Sequence, residues 1–216
     1  MQSIMTAIKR KNIITIQHPE SVHHTNGMVG SWTDWELSEK GKRLAENISS
    51  HLKQTIQPGS VVIYSSTLKR AVQTAEIVGK KLGLTPKLIG ALKERGLGAG
   101  IGKSVQWLKD NIEQEELTVY DKCFADAESR YDVWKRLIPF YEEIISNEEE
   151  NIIIVSHGDT LSLFNALWLG LDIELLNKID LYGISGGVSF LYQNSAGKRI
   201  IKRLSDTSFM YPIANP

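Results

Sequence analysis

The stretch Asn151-Ile152-Ile153-Ile154-Val155-Ser156-His157-Gly158-Asp159 decides the fold. Ile152 to Val155 is an unbroken run of β-branched residues, the most strand-like in the chain. The run stops at Ser156, and Asp159 to Leu169 continues as a helix. In open α/β sheets, ligands bind beyond the carboxyl ends of the strands. His157 therefore stands where chemistry is expected.

Outward from this unit, strand and helix keep alternating. Asn12 to Ile16 reads as a buried strand, and Ser38 to Leu52 as a helix with Ser38 as N-cap and Leu44, Ala45, Ile48 and Leu52 on one face. Val61 to Tyr64 is a strand, followed by a helix from Leu68 to Leu82 that ends near Gly83. Pro86 to Ile89 reads as a short strand, and Arg130 to Ile145 as a helix kinked at Pro139. Val188 to Tyr192 and Arg199 to Arg203 form a closing pair around the turn residues Asn194 to Gly197. The alternation predicts an α/β sandwich on a mainly parallel sheet. Gly90 to Ala127 is the least regular stretch and reads as a lid or insertion.

With 216 residues, 25 Lys+Arg and 25 Asp+Glu, the chain has material for one core and no net charge. That balance argues against a broad nucleic-acid surface, which needs a basic face. Cys123 is the single cysteine, so neither an internal disulfide nor a thiolate zinc cluster is available. No stretch approaches a membrane span, and the basic start at Lys9, Arg10 and Lys11 is not followed by a signal-like apolar segment. A cytoplasmic location is expected; oligomeric state, a dimer included, stays open.

Two suggestive patterns fail on spacing. The Gly-rich run Gly96 to Ser104 lacks the glycine that a phosphate-cradling loop needs, because Leu97 occupies its place. The adjacent pair His23 and His24 has no structural-zinc spacing and no cysteine partner.

Three apolar strands each run straight into reactive residues: Gln17-His18-Pro19-Glu20-Ser21, Ser65-Ser66 followed by Arg70, and Ser156-His157-Gly158-Asp159. Parallel strands bring His18, Arg70 and His157 to one edge. Two imidazoles and a guanidinium suit a phosphate dianion, and histidine can act as a covalent nucleophile.

On these blocks the chain resembles the histidine phosphatase superfamily, phosphoglycerate mutase-like branch, over nearly its whole length. The first block, Gln17-His18-Pro19-Glu20-Ser21, is followed in register by Gly27, Trp32, Asp34, Leu37, Ser38, Glu39 and Gly41. The second is Ser66-Thr67-Leu68-Lys69-Arg70-Ala71-Val72-Gln73-Thr74-Ala75, the third Leu92-Lys93-Glu94 before Gly98 and Gly102, and the fourth Val155-Ser156-His157-Gly158.

The resemblance implies a three-layer α/β/α sandwich and a single domain over residues 1–216, with a lid or insertion around 90–127. It implies a metal-independent phosphomonoesterase, without cofactor, acting on a small phosphorylated metabolite. His18 would form a phosphohistidine; Arg70, His157 and Ser21 would hold the phosphoryl oxygens, and Glu94 would serve as acid and then base. Gln17 and His24 complete the expected phosphate contacts. Gln17 stands for the family's arginine, Pro19 for its glycine and His24 for its asparagine. A protonated His24 is expected to restore the missing charge and to bias activity towards mildly acid pH.

A mutase is the first rival, ranked lower because resembling mutases usually carry a longer insertion than Gly96 to Ser156 allows. A non-catalytic phospholigand- or partner-binding member is the second.

Overall fold

The computed structural model describes residues 9–56 and 60–213; Met1 to Ile8, part of the basic start considered above, lie outside the described residues. Strands β1 (Lys11–Gln17), β2 (Val61–Ser66), β3 (Lys87–Ile89), β4 (Asn151–Ser156), β5 (Val188–Gln193) and β6 (Arg199–Asp206) form one sheet in the order β3-β2-β4-β1-β5-β6. The pairs β1–β4, β2–β4 and β2–β3 are parallel, whereas β5 runs antiparallel to β1 and β6. The expected mainly parallel sheet is present, closed on one side by the hairpin.

Alternation along the central strands sorts the core into two layers. Ile13, Tyr64, Ile152, Ile154 and Leu191 face helices α5 (Arg130–Ser146) and α6 (Gly158–Leu169). Ile16, Ile63, Ile153, Val155 and Val188 face α2 (Glu39–Thr55) and α3 (Lys69–Leu82). This is the three-layer sandwich. Ser38 caps α2 by accepting from the Gly41 amide, and Gly83 ends α3 in the left-handed conformation. Helix α5 runs without interruption through Pro139. In α6 ten of twelve residues are buried, so its sequence shows no polar face.

The stretch from Gly90 to Ala127 holds more order than its sequence suggests. It contains short 3-10 turns and a helix, α4 (Val105–Asn111), capped by Ser104. Two backbone bonds tie it to the loop beyond His24: Val29 N–H to Lys103 O at 2.9 Å, and Val105 N–H to Gly27 O at 2.8 Å. Among the described residues, no helix is long and apolar enough to cross a membrane.

One glycine anchors the loop that follows β1. A Cβ on Gly41 would stand 1.8 Å from the Glu20 carbonyl oxygen, so α2 can reach this loop only without a side chain there. Gly41→Ala is expected to destabilise the fold by about 2–3 kcal/mol, since backbone rather than a flexible side chain must yield. Urea unfolding checks this; an unchanged midpoint would rule out the tight contact.

Candidate active site

His18 is the first residue beyond β1 and is almost fully buried. Its Nδ1 lies 2.8 Å from the Pro19 carbonyl, which can only accept, so Nδ1 carries the hydrogen and Nε2 keeps its lone pair. Burial first, and the Arg70 charge second, push its pKa well below the ordinary value. A neutral imidazole with Nε2 unprotonated is the nucleophilic form. Proline, which has no N–H, costs this contact nothing because the carbonyl makes it.

Arg70 lies in the first turn of α3 with its guanidinium inside the protein. Nε–H donates to His18 Nε2 at 3.1 Å, while NH1 and NH2 donate to the carbonyls of Thr33 and Ser31 at 3.0 and 2.8 Å. Ser31 reaches this position with φ of 36°, a left-handed backbone uncommon for a residue with a side chain. The Lys69 amide at the start of α3 donates to Asp34 Oδ1 at 2.6 Å. Burial lowers the Arg70 pKa to about 10, which leaves the fork charged at neutral pH.

His157 caps α6 and is fully buried, its ring centroid 5.0 Å from that of His18 in an edge-on arrangement. Nε2 lies 2.8 Å from Ser66 Oγ, at the end of β2. Nδ1 is buried with no hydrogen-bond partner among the described residues. Burial, with Arg70 and His18 nearby, holds this ring neutral as well.

Ser21 is buried, with His23 Nδ1 2.7 Å from its hydroxyl. Its amide donates to His24 Nδ1 at 3.0 Å. His24 stacks on His18 at 5.7 Å, with 13° between the rings. The expected protonation of His24 is opposed: burial and the Arg70 charge lower its pKa, and its Nδ1 is already an acceptor. In the free site His24 is therefore neutral near pH 7 rather than the expected cation. Gln17 is buried at the end of β1, with its side-chain oxygen towards Gly183, the neighbour of Tyr182. The Tyr182 ring lies against Gly158, on a loop whose Ser185 hydroxyl donates to the His18 carbonyl at 3.0 Å.

Glu94 stands at the amino end of α6. Its Oε1 accepts from the amides of Arg95 at 2.9 Å and Thr160 at 3.3 Å. Desolvation first, then the Asp159 charge, raise its pKa in spite of these donors. Thr160 offers a further reason. Its single hydroxyl hydrogen is well placed on the Lys93 carbonyl at 2.7 Å, and its oxygen lies 3.2 Å from Glu94 Oε1. That oxygen can then accept from Glu94 only when the carboxyl is protonated. Ser66, Thr160 and Tyr182 were not singled out in the sequence as site residues. Ser66 opens the second block and Thr160 follows the fourth, which was the available signal.

The site thus brings together His18, Arg70, Ser21, His24 and His157, with Glu94 on the neighbouring helix end. Among the described residues, no group of three or more His, Cys, Asp or Glu side chains could hold a metal ion. Residues 13–206 match the family profile described as histidine phosphatase superfamily (branch 1). The chain belongs to this family.

Relatives of this histidine phosphatase superfamily member carry both mutase and phosphatase names. A protein of Bartonella bacilliformis named 2,3-bisphosphoglycerate-dependent phosphoglycerate mutase is 26% identical over 204 residues, spanning 90% of this chain and 97% of the relative. A mycobacterial glucosyl-3-phosphoglycerate phosphatase, solved in complex with inorganic phosphate, superposes with a TM-score of 0.78 at 20% identity, over 93% of this chain and 99% of that one. Phosphoserine phosphatase from Entamoeba histolytica, solved with 3-phosphoglyceric acid, gives 0.74 at 23% identity, over 93% and 100%. At these identities the two structures attest the shared fold. The near-complete span of the Bartonella mutase also corrects the argument from insertion length: a protein bearing the mutase name fits this chain without a longer insertion.

Proposed function

We propose that this chain is a phosphomonoesterase that releases phosphate from a small phosphorylated metabolite through a phosphohistidine on His18. The observation that carries the reading is the His18 hydrogen-bond pair, with Nδ1–H held by the Pro19 carbonyl and Nε2 presented to the Arg70 fork. Nε2 attacks phosphorus as the bond to the leaving oxygen breaks. The Arg70 N–H that meets Nε2 in the free site turns to a phosphoryl oxygen, joined by Ser21 Oγ and the unpartnered His157 Nδ1. Protonated Glu94 gives its proton to the leaving oxygen, then takes one from the water that cleaves the N–P bond and regenerates His18. These protein donors supply positive charge where the phosphoryl group develops negative charge. The stretch around 90–127 is assigned as the lid, with its backbone ties to the loop beyond His24 as support.

Hydrolysis is favoured over mutase chemistry by how the arginines near Glu94 are committed. Arg95 pairs with Glu116 and Asp159, Arg130 with Asp159 and Asp180, and Arg136 with Glu128. A mutase must hold a second anionic group of its bisphosphorylated intermediate, and these cations already have carboxylate partners. With 3-phosphoglycerate and a trace of bisphosphorylated primer, phosphate release is expected to outpace isomer exchange. Exchange faster by about tenfold, or ~1.4 kcal/mol in barrier, would establish the mutase reading instead.

The acid role of Glu94 has a pH signature. Its raised pKa keeps the neutral form present to higher pH, and that form is lost as pH rises through the folded value. Thr160→Val removes the acceptor that favours the protonated carboxyl. The alkaline limb of kcat/KM against pH is therefore expected to move down by about 0.5–1 unit. An upward shift would mean that Thr160 donates to the carboxylate.

A further inference from the structure

The reaction proposed above gives no role to His23, although its ring reaches one of the phosphoryl-binding groups. His23 places Nδ1 2.7 Å from the buried Ser21 hydroxyl, on a ring that is itself half-buried. A serine hydroxyl has one hydrogen to give and two lone pairs to offer. If Nδ1 accepts, the hydrogen is consumed, and Ser21 turns lone pairs towards a negatively charged phosphoryl oxygen. If Nδ1 donates, the hydrogen stays available for that oxygen.

The opposite side of the ring distinguishes the two arrangements. Nε2 faces Gly30 so closely that a Cβ there would stand 2.6 Å away. Among the described residues no protein group accepts from Nε2, so an Nε2–H there gains solvent at most, whereas Nδ1–H meets the Ser21 oxygen directly. Burial, then the charges of His24 and Arg70, lower the ring's pKa to about 3, so a single nitrogen carries hydrogen near neutral pH. The Ser21 backbone is pinned independently, its amide donating to His24 Nδ1 at 3.0 Å. One histidine thus fixes where Ser21 sits and the other bonds its hydroxyl.

We propose that His23 is a positioning residue: Nδ1–H donates to Ser21 Oγ and thereby directs the Ser21 hydroxyl hydrogen to the transferring phosphoryl group. This rests on the phosphoryl-binding role proposed for Ser21.

The test pairs vanadate affinity with turnover of p-nitrophenyl phosphate. His23→Leu is expected to weaken vanadate binding and lower kcat/KM about tenfold, whereas His23→Asn, whose amide nitrogen reaches the place of Nδ1, stays within about threefold of the parent. In a Ser21→Ala background, His23→Leu should change either quantity by less than about twofold, because the two residues act as one unit. Equal losses in the Leu and Asn variants, or an undiminished Leu effect in the Ser21→Ala background, would overturn the assignment. Nitrogen NMR of histidine-labelled parent protein reads the tautomer without any variant: protonation at Nδ1 supports the proposal, and protonation at Nε2 overturns it. The expected vanadate pattern in a protein that turns over no ester would sink the phosphatase reading while supporting His23 as the group that orients Ser21.

Discussion

His18→Ala is expected to reduce kcat/KM for p-nitrophenyl phosphate on the order of 10⁴-fold or more, because the substitution removes the nucleophile and leaves only the binding groups. The same protein should still fold. Its alanine deletes a ring whose partners are the Pro19 carbonyl and the Arg70 fork, and the fork keeps its bonds to the Thr33 and Ser31 carbonyls. The parent, mixed briefly with labelled substrate and quenched in denaturant, should retain label that is lost in acid and survives base, as a phosphoramidate does. Label stable in acid and lost in base would place the phosphoryl group on a hydroxyl such as that of Ser21. A His18→Ala variant with activity within about tenfold of the parent would remove the covalent route altogether.

Arg70→Ala is expected to have the second-largest effect, a loss of about 10³-fold in kcat/KM, accompanied by lower stability. Gln17 carries no charge, and the imidazoles of His18, His23, His24 and His157 are all held below their ordinary pKa. Permanent positive charge beside the nucleophile therefore comes from Arg70. Each charge-assisted bond is worth about 1.5–3 kcal/mol, so losing the Nε–H bond to the phosphoryl group, together with one from a guanidinium hydrogen that the Thr33 and Ser31 carbonyls leave free, accounts for the rate loss. Removing the fork also leaves the carbonyls of Ser31 and Thr33 short of a donor, at a cost of about 1–3 kcal/mol. Arg70→Lys is not expected to restore activity, because one ammonium cannot replace a planar fork that meets two carbonyls and an imidazole. Full activity in the lysine variant would show that point charge alone is sufficient.

The fold was legible where residue type and burial coincide. The β-branched runs at Ile13 to Ile16 and Ile152 to Val155 announced strands, and Ser38 and Gly83 marked helix ends through cap chemistry. Helix α4 was missed because Val105, Trp107 and Leu108 span too short a segment for a period to show, and its cap, Ser104, lay in a stretch read as irregular. At the site, the residues within the recognised blocks were found and their supporting partners were not. Ser66 lies in a recognised block, but its meeting with His157 across 91 positions of sequence was not legible, nor was the approach of Tyr182 to Gly158 from a loop that no motif marks. The left-handed turn at Ser31 was equally hidden, since serine carries no signal for it. The charge of His24 shows the same limit: its ordinary pKa suggests a cation, whereas desolvation first and then Arg70, distant in sequence, lower it.

Strand β1 has a consequence for how the molecule comes into being. It is flanked in the sheet by β4 and β5, pairing Asn12 with Asn151 on one side and with Tyr192 on the other. A chain growing from its amino end holds its first apolar strand for most of synthesis with neither neighbour yet made. Long-range pairing of this kind is slow, and an unpaired strand edge is exposed to association while it waits. His18, at the end of that strand, gains its setting only after both β4 and β5 have emerged. The nascent protein therefore has no half-built, active pocket to misfire, and its need for protection from aggregation is greatest before β4 and β5 arrive.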